Sequence, residues 1–290
     1  MRDYVLLTDS CCDLSAEMAA ELGVEILPLS LEMSGKSYRN YPDGRDIGFQ
    51  EFYTRLRAGE LATTSAVNVG EFEDKMRALL QTGRDILCLS FSSALSTTYQ
   101  SSVIAAEELR SEFPDARIET VDTLCASLGQ GLLVYLCAME KQMGHSLDEV
   151  KPFAEQTRLH VCHWFTVDDL NHLKRGGRIS AATALFGTML SIKPVMHVDD
   201  EGRLIPVSKA RGRRASLLAL VERMAQTAID PANQTVFISH GDCLEDAEFV
   251  ASELRRRLNV RTIHINYVGP VIGNHSGPGT MALFFLGTQR

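Results

Sequence analysis

Residues 90–102 read SFSSALSTTYQSS, and nine of these thirteen carry a hydroxyl. They follow the apolar run Ile86-Leu87-Cys88-Leu89, which reads as a buried strand. Two other turns are similarly rich: Thr8-Asp9-Ser10 and Thr63-Thr64-Ser65. For any single hydroxyl the plain reading is helix capping, with Ser96 or Thr97 capping a helix from Tyr99. The cluster asks for more, because a helix needs one cap and Ser92, Ser93, Ser96, Thr97 and Thr98 offer five. Hydroxyls and free backbone N–H groups at a helix start make an anion site. No Lys or Arg lies among them. An uncharged donor set suits a small anion such as a carboxylate, held without a fixed counter-charge.

Other chemistries fit less well. Asp9-Ser10-Cys11-Cys12-Asp13 faintly resembles a phosphatase nucleophile loop, but three residues separate the aspartates where that chemistry uses one. GxSxG, GxxxxGK[ST] and HExxH are absent. A triad of Asp9, Ser10 and His240 or His275 can be drawn, yet eight histidines make such a choice uninformative. The seven cysteines include no CxxC pair and mostly sit in apolar runs, so they read as buried small hydrophobes. Three features mark the second half. Lys174-Arg175-Gly176-Gly177-Arg178 sets cations beside a glycine pair. Lys209, Arg211, Arg213 and Arg214 form a basic stretch that fits a solvated face as well as a phosphate- or partner-binding patch. His275 stands in Asn274-His275-Ser276-Gly277-Pro278-Gly279, a better site candidate than an isolated histidine.

The elements that must position these groups follow from periodicity. Residues 4–7, 24–29, 85–90 and 117–121 read as strands. Residues 14–22, 49–57, 70–81 and 97–113, with a segment ending at Met143, read as helices. The stretch 33–45 reads as a loop or small hairpin and 61–67 as a polar turn. Alternating strands and helices predict a parallel sheet with flanking helices, with ligands outside the carboxyl ends of its strands. From residue 160 the pattern changes. Strand 160–166, helix 170–175, a hairpin of 192–198 and 204–210, helix 217–227, strand 235–240, helix 245–258 and strand 261–267 predict an α+β domain with an antiparallel sheet. Gly269-Pro270-Val271-Ile272-Gly273 reads as a turn. The division is residues 1–160 and 161–290.

Net charge is -8, which disfavours nucleic acid or anionic membrane as the main partner. Transient contact with a membrane stays compatible with this composition. No apolar run reaches the length of a membrane span, and Val5-Leu6-Leu7 is too short for a signal peptide, so a cytoplasmic location is expected.

Taken in order, the segments Thr8-Asp9-Ser10, Thr64-Ser65, Ser92 to Ser101, Leu173-Lys174-Arg175-Gly176-Gly177-Arg178-Ile179, Lys193-Pro194, Lys209-Ala210-Arg211-Gly212 and His275-Ser276-Gly277-Pro278-Gly279 resemble the bacterial DegV family along the whole chain. The resemblance implies a two-domain α/β protein that binds a long-chain fatty acid between its domains. It implies a carboxylate site at Thr64 and Ser96, with Ser93 and Ser65 nearby, and an acyl tunnel in the C-terminal domain. It also implies that some members carry the fatty acid to a separate ATP-binding kinase subunit, with Arg178, Arg211 and His275 serving docking and phosphoryl transfer. Two departures from the family pattern, Ala66-Val67-Asn68 after Thr64-Ser65 and Thr97 in place of glycine, bear on the carboxylate loop.

Material for a tunnel exists in Phe165, Leu185, Phe186, Met189, Leu190, Ile192, Phe284 and Phe285, each of which reads equally as core. No nucleotide cradle or metal site is recognisable, so the chain is expected to be non-catalytic alone, with no cofactor beyond the fatty acid ligand. The rival readings are a lipid carrier or sensor without a kinase partner, and a stand-alone hydrolase using His275 or His240.

Overall fold

The computed structural model describes residues 2–179 and 191–290. The chain runs β1 (Tyr4–Asp9), a 3-10 turn (Ser10–Cys12), α1 (Ala16–Leu22), β2 (Val24–Leu27), β3 (Ser30–Met33), β4 (Lys36–Arg39), α2 (Phe49–Arg57), β5 (Ala62–Ser65), α3 (Val69–Leu80), β6 (Asp85–Ser90), α4 (Thr98–Glu112), β7 (Ile118–Asp122), α5 (Leu128–Gln142) and α6 (Leu147–Thr157). It continues β8 (Val161–Thr166), α7 (Leu170–Arg175), β9 (Ile192–Val198), β10 (Leu204–Arg211), α8 (Arg213–Thr227), β11 (Thr235–His240), α9 (Leu244–Leu258), β12 (Thr262–Tyr267), α10 (Pro270–Ser276) and β13 (Met281–Leu286).

The first sheet has strand order β2-β1-β6-β7 and is parallel throughout. Both faces are covered, so β1 and β6 are buried at every position. Val5, Leu7, Ile86 and Cys88 face α3 and α4, whereas Leu6, Leu87, Leu89 and Val121 face α5. The second sheet, in order β10-β9-β8-β13-β11-β12, is antiparallel except for the β11–β12 pair. Trp164, Ile238, Leu283 and Phe285 lie on its outer side with residues of α8 and α9, while Phe165, Phe237 and Phe284 lie on its inner side with residues of α5. One helix, α5, therefore serves both sheets. Glycines let it approach each: a Cβ on Gly129 would stand 2.1 Å from His163 Nε2, and one on Gly131 would stand 2.5 Å from the Cys12 carbonyl oxygen.

Several segments differ from the sequence reading, two expected turns among them. The polar turn expected at 61–67 contains β5, paired antiparallel with β3 through Leu31↔Thr64 and Met33↔Ala62. Backbone pairing suffices for this short strand although its side chains are polar. The turn expected at 269–273 is instead the start of α10, with Gly269 as N-cap and Pro270 in the first turn. A proline loses nothing there, because that N–H has no partner within the helix. A further helix, α6, takes a segment to which the sequence reading gave no element. It begins with a capping box of Ser146 and Glu149.

The first hydroxyl turn is scaffolding. Thr8 Oγ1 donates to the Leu89 carbonyl at 2.6 Å. The Asp9 carboxylate accepts the Phe91 N–H at 2.8 Å, the Cys11 N–H at 3.0 Å and Gln130 Nε2 at 3.2 Å. It thereby fixes the exit of β6, where the serine-rich loop starts. Burial raises this carboxyl to about 6, against the three donors that favour its charged form. Asp9→Ala strands two buried N–H groups and is expected to cost about 2–4 kcal/mol in urea denaturation. A loss under about 1 kcal/mol would show that Asp9 does not hold this loop.

Candidate functional site

A cavity of about 440 Å³ lies between the carboxyl edge of the first sheet and the inner face of the second. From the first half its wall takes Thr64, Ser65 and Ala66 at the end of β5, and Phe91, Ser93, Leu95, Ser96 and Thr97 from the β6–α4 loop. From the second it takes His163 and Phe165 of β8, Ser239 of β11, and Ala282 and Phe284 of β13. Strand alternation brings the last group to one face, since the register pairs Phe165 with Ala282, Ala282 with Ser239, and His163 with Phe284. Val271, Ile272, His275 and Ser276 of α10 complete the wall with Arg178, Leu173, Val198 and Leu204.

The serine-rich loop divides its labour. Ser92 is buried, and its Oγ donates to the Gly202 carbonyl at 3.0 Å, tying the loop to the turn between β9 and β10. Ser93 is exposed, and its N–H donates to Asp122 Oδ1 at 3.2 Å. Ser96 Oγ accepts the Thr98 N–H at 3.2 Å and lies 2.9 Å from Thr98 Oγ1, so it caps α4 while lining the cavity. Thr97, the residue before α4, makes no side-chain cap bond.

Thr64 and His275, 211 positions apart in the chain, meet at 2.8 Å between Oγ1 and Nε2. Burial lowers the His275 pKa to about 4, and the Arg178 guanidinium adds to the shift. The ring is therefore neutral at pH 7. Its far side presses on Gly176, where a Cβ would stand 2.1 Å from Nδ1. Arg178 Nε donates to the Leu95 carbonyl at 3.2 Å, and its Nη1 donates to Gly176, bridging the basic loop after α7 to the serine-rich loop. Deeper in the wall, His163 Nδ1 donates to the Val161 carbonyl at 2.8 Å and Nε2 accepts the Ala126 N–H at 3.2 Å. Burial keeps this ring neutral too.

Thr64, Ser65, Ser93, Ser96, Arg178 and His275 thus come together on one cavity, with Phe165 and Phe284 on its apolar wall. Phe285 does not join them: strand alternation turns it to the outer face of β13, into the core beside Leu217 and Leu220 of α8. Ile192 is half-buried on β9 and outside the cavity wall. Arg211 is exposed at the end of β10 and also outside it. Leu185, Phe186, Met189 and Leu190 lie outside the described residues. Sequence reasoning missed Ser127, Ser239, Ser276 and Thr280, all buried and on the wall. Ser276 stood beside His275 in the Gly-Pro-Gly turn, and Ser239 lies within a strand, where only pairing register reveals its face.

The DegV family, described as "Uncharacterised protein, DegV family", matches residues 4–288. The chain belongs to the DegV family. A DegV domain-containing protein of Clostridium perfringens is 45% identical over 290 residues, covering 100% of this chain and 99% of that protein. A solved DegV-family structure from Thermus thermophilus, described as binding fatty acid, is 32% identical, with TM-score 0.86 over 98% of this chain and 99% of that one. A stearic-acid-binding protein from Eubacterium ventriosum is 26% identical, with TM-score 0.85 over 97% of each chain.

The His275 shift sets a pH dependence. Between its ordinary value of 6.5 and about 4, the unfolded chain binds a proton on this ring that the folded DegV protein excludes. Its contribution to stability is thus present above 6.5 and is lost as pH falls through that window. In an NMR titration the His275 ring should still report the neutral form at about pH 5.5. Protonation at or above the ordinary value would contradict the packing described.

Proposed function

We propose that this protein binds one long-chain fatty acid in the cavity, with the carboxylate at the hydroxyls of residues 1–160 and the tail along the apolar wall from residues 161–290. The observation that carries this reading is the distribution of polarity. Thr64, Ser65, Ser93, Ser96 and Thr97 sit where the wall is half-buried or exposed, while Phe165, Ala282 and Phe284 are buried. Fatty acid binding by the Thermus thermophilus and Eubacterium ventriosum proteins supports it.

The hydrogen-bond directions support it as well. Ser96 Oγ already accepts a backbone N–H, and its own proton is available for a ligand oxygen when the Thr98 hydroxyl, 2.9 Å away, donates to it. Thr64 can donate to a carboxylate only if His275 donates to Thr64, which selects the Nε2–H tautomer. A neutral imidazole in that form orients the threonine and adds no charge of its own. A carboxylate taken from water needs such donors or it takes up a proton. For the tail, each buried methylene is worth about 0.8 kcal/mol, so about 14 of them gain on the order of 11 kcal/mol before ordering costs.

The finer role we propose is presentation to a separate ATP-binding kinase subunit. Ser65, Ser93 and Thr97 are exposed, so a head group beside them stays within reach of a second protein. Exposed Arg211, with Arg178 at the cavity, supplies cations for that protein's acidic surface or its nucleotide phosphates.

Thr64→Ala combined with Ser96→Ala should abolish retention of fatty acid in mass spectrometry of the purified protein. Full retention would end the assignment of these hydroxyls. Arg211→Ala should leave retention unchanged and reduce acyl-phosphate formation about tenfold or more with the kinase subunit present. Loss of retention in that variant would refute the separation of roles.

A further inference from the structure

The cavity wall contains a polar side chain to which the head-group reading gives no task. Ser276, the last residue of α10, is 5% exposed and lines the cavity. Its Oγ has no hydrogen-bond partner among the described residues. Serine hydroxyls inside helices usually turn back on a carbonyl of the preceding turn. Three others in this molecule do so: Ser102 to Tyr99, Ser216 to Arg213 and Ser252 to Phe249, each at 2.7 Å. Ser276 does not. The other buried hydroxyls on the wall are engaged. Ser127 bonds Asp13 at 2.5 Å and Ser239 at 2.9 Å, and Thr280 donates to the Gly277 carbonyl at 2.7 Å. A buried hydroxyl left unpaired is unfavourable, and one retained at a cavity wall points to a ligand atom as its partner.

Its place in the helix indicates which ligand atom. Val271, Ile272, His275 and Ser276 recur at the spacing of one helical face, so Ser276 shares the last turn of that face with His275. His275 holds Thr64. Ser276 is therefore next to the proposed head-group site in the chain, on the element that closes the cavity from the C-terminal half. A carboxylate offers about four acceptor positions, and the hydroxyls of Thr64 and Ser96 use two of them. We propose that Ser276 is a further ligand-binding residue, whose hydroxyl donates to the carboxylate of the bound fatty acid from α10. This rests on the fatty-acid reading of the cavity. It makes head-group recognition a joint act of both halves of the chain, with donors on β5, on the β6–α4 loop and on α10.

The test compares lipid-stripped wild type with Ser276→Ala, measuring thermal stability without ligand and affinity for palmitate. The expected result is a melting temperature that does not fall, because no protein contact is lost, together with palmitate affinity weakened about tenfold. Unchanged affinity would overturn the assignment of Ser276 while leaving the fatty-acid reading intact. A melting temperature that drops alongside affinity would also overturn it, since a structural hydroxyl behaves that way. Failure of the wild type to bind palmitate would overturn the fatty-acid reading itself.

Discussion

The Asp13 carboxylate lies buried where three distant stretches of chain meet. It accepts the Ser127 hydroxyl at 2.5 Å and the Gly269 N–H at 3.0 Å, and the Asp13 carbonyl accepts Asn266 Nδ2 at 2.8 Å. Burial pushes this carboxyl up to about 7, with the two donors opposing the shift. Removing a charge from water is costly, and the donors from Ser127 and Gly269 offset part of that cost. Those donors come from the start of α5 and from the lead into α10. The contact therefore sets the start of the central helix and the start of the cavity-closing helix against the end of β1. Tyr53 of α2 reinforces the same seam, its hydroxyl donating to the Val268 carbonyl at 2.7 Å.

With that seam fixed, the cavity follows from the size and polarity of what is left. Helix α5 lies between the sheets, and Ala126 and Ser127, just before its first residue, border the open part. The wall there is apolar at Phe165, Ala282 and Phe284 of the second sheet, which also places His163 and Ser239 on it, and is hydroxylated at β5 and the β6–α4 loop. Histidines on this wall behave as neutral dipoles, since burial holds both His163 and His275 below their ordinary range. Such a wall offers donated hydrogen bonds from uncharged groups, with the Arg178 guanidinium as the cation beside them.

The fold was readable wherever one signal sufficed. The helix Phe49–Arg57 matches the periodicity at both ends, and Gly23 ends α1 in the left-handed conformation that its position predicts. The hairpin of β9 and β10 likewise follows from Asp199-Asp200-Glu201-Gly202. Legibility failed where tertiary contact overrides local preference. Four polar or small residues become β5 because β3 offers a partner. Gly273 reads as a breaker, yet it sits within α10 because Tyr53 packs where a side chain would be, 2.5 Å from a Cβ placed there.

The site divides in the same way. Sequence alone determined the chemistry: uncharged hydroxyls at strand ends, basic clusters around Arg178 and Arg211, and a histidine beside a Gly-Pro-Gly turn, because residue type and neighbours are local properties. Only the tertiary structure decided which of them meet. Thr64 and His275 share a hydrogen bond across 211 positions, Phe284 faces the cavity while Phe285 faces the core, and Thr8-Asp9-Ser10 became support. Strand register and sheet packing make those choices, and both depend on partners that no local stretch of sequence contains.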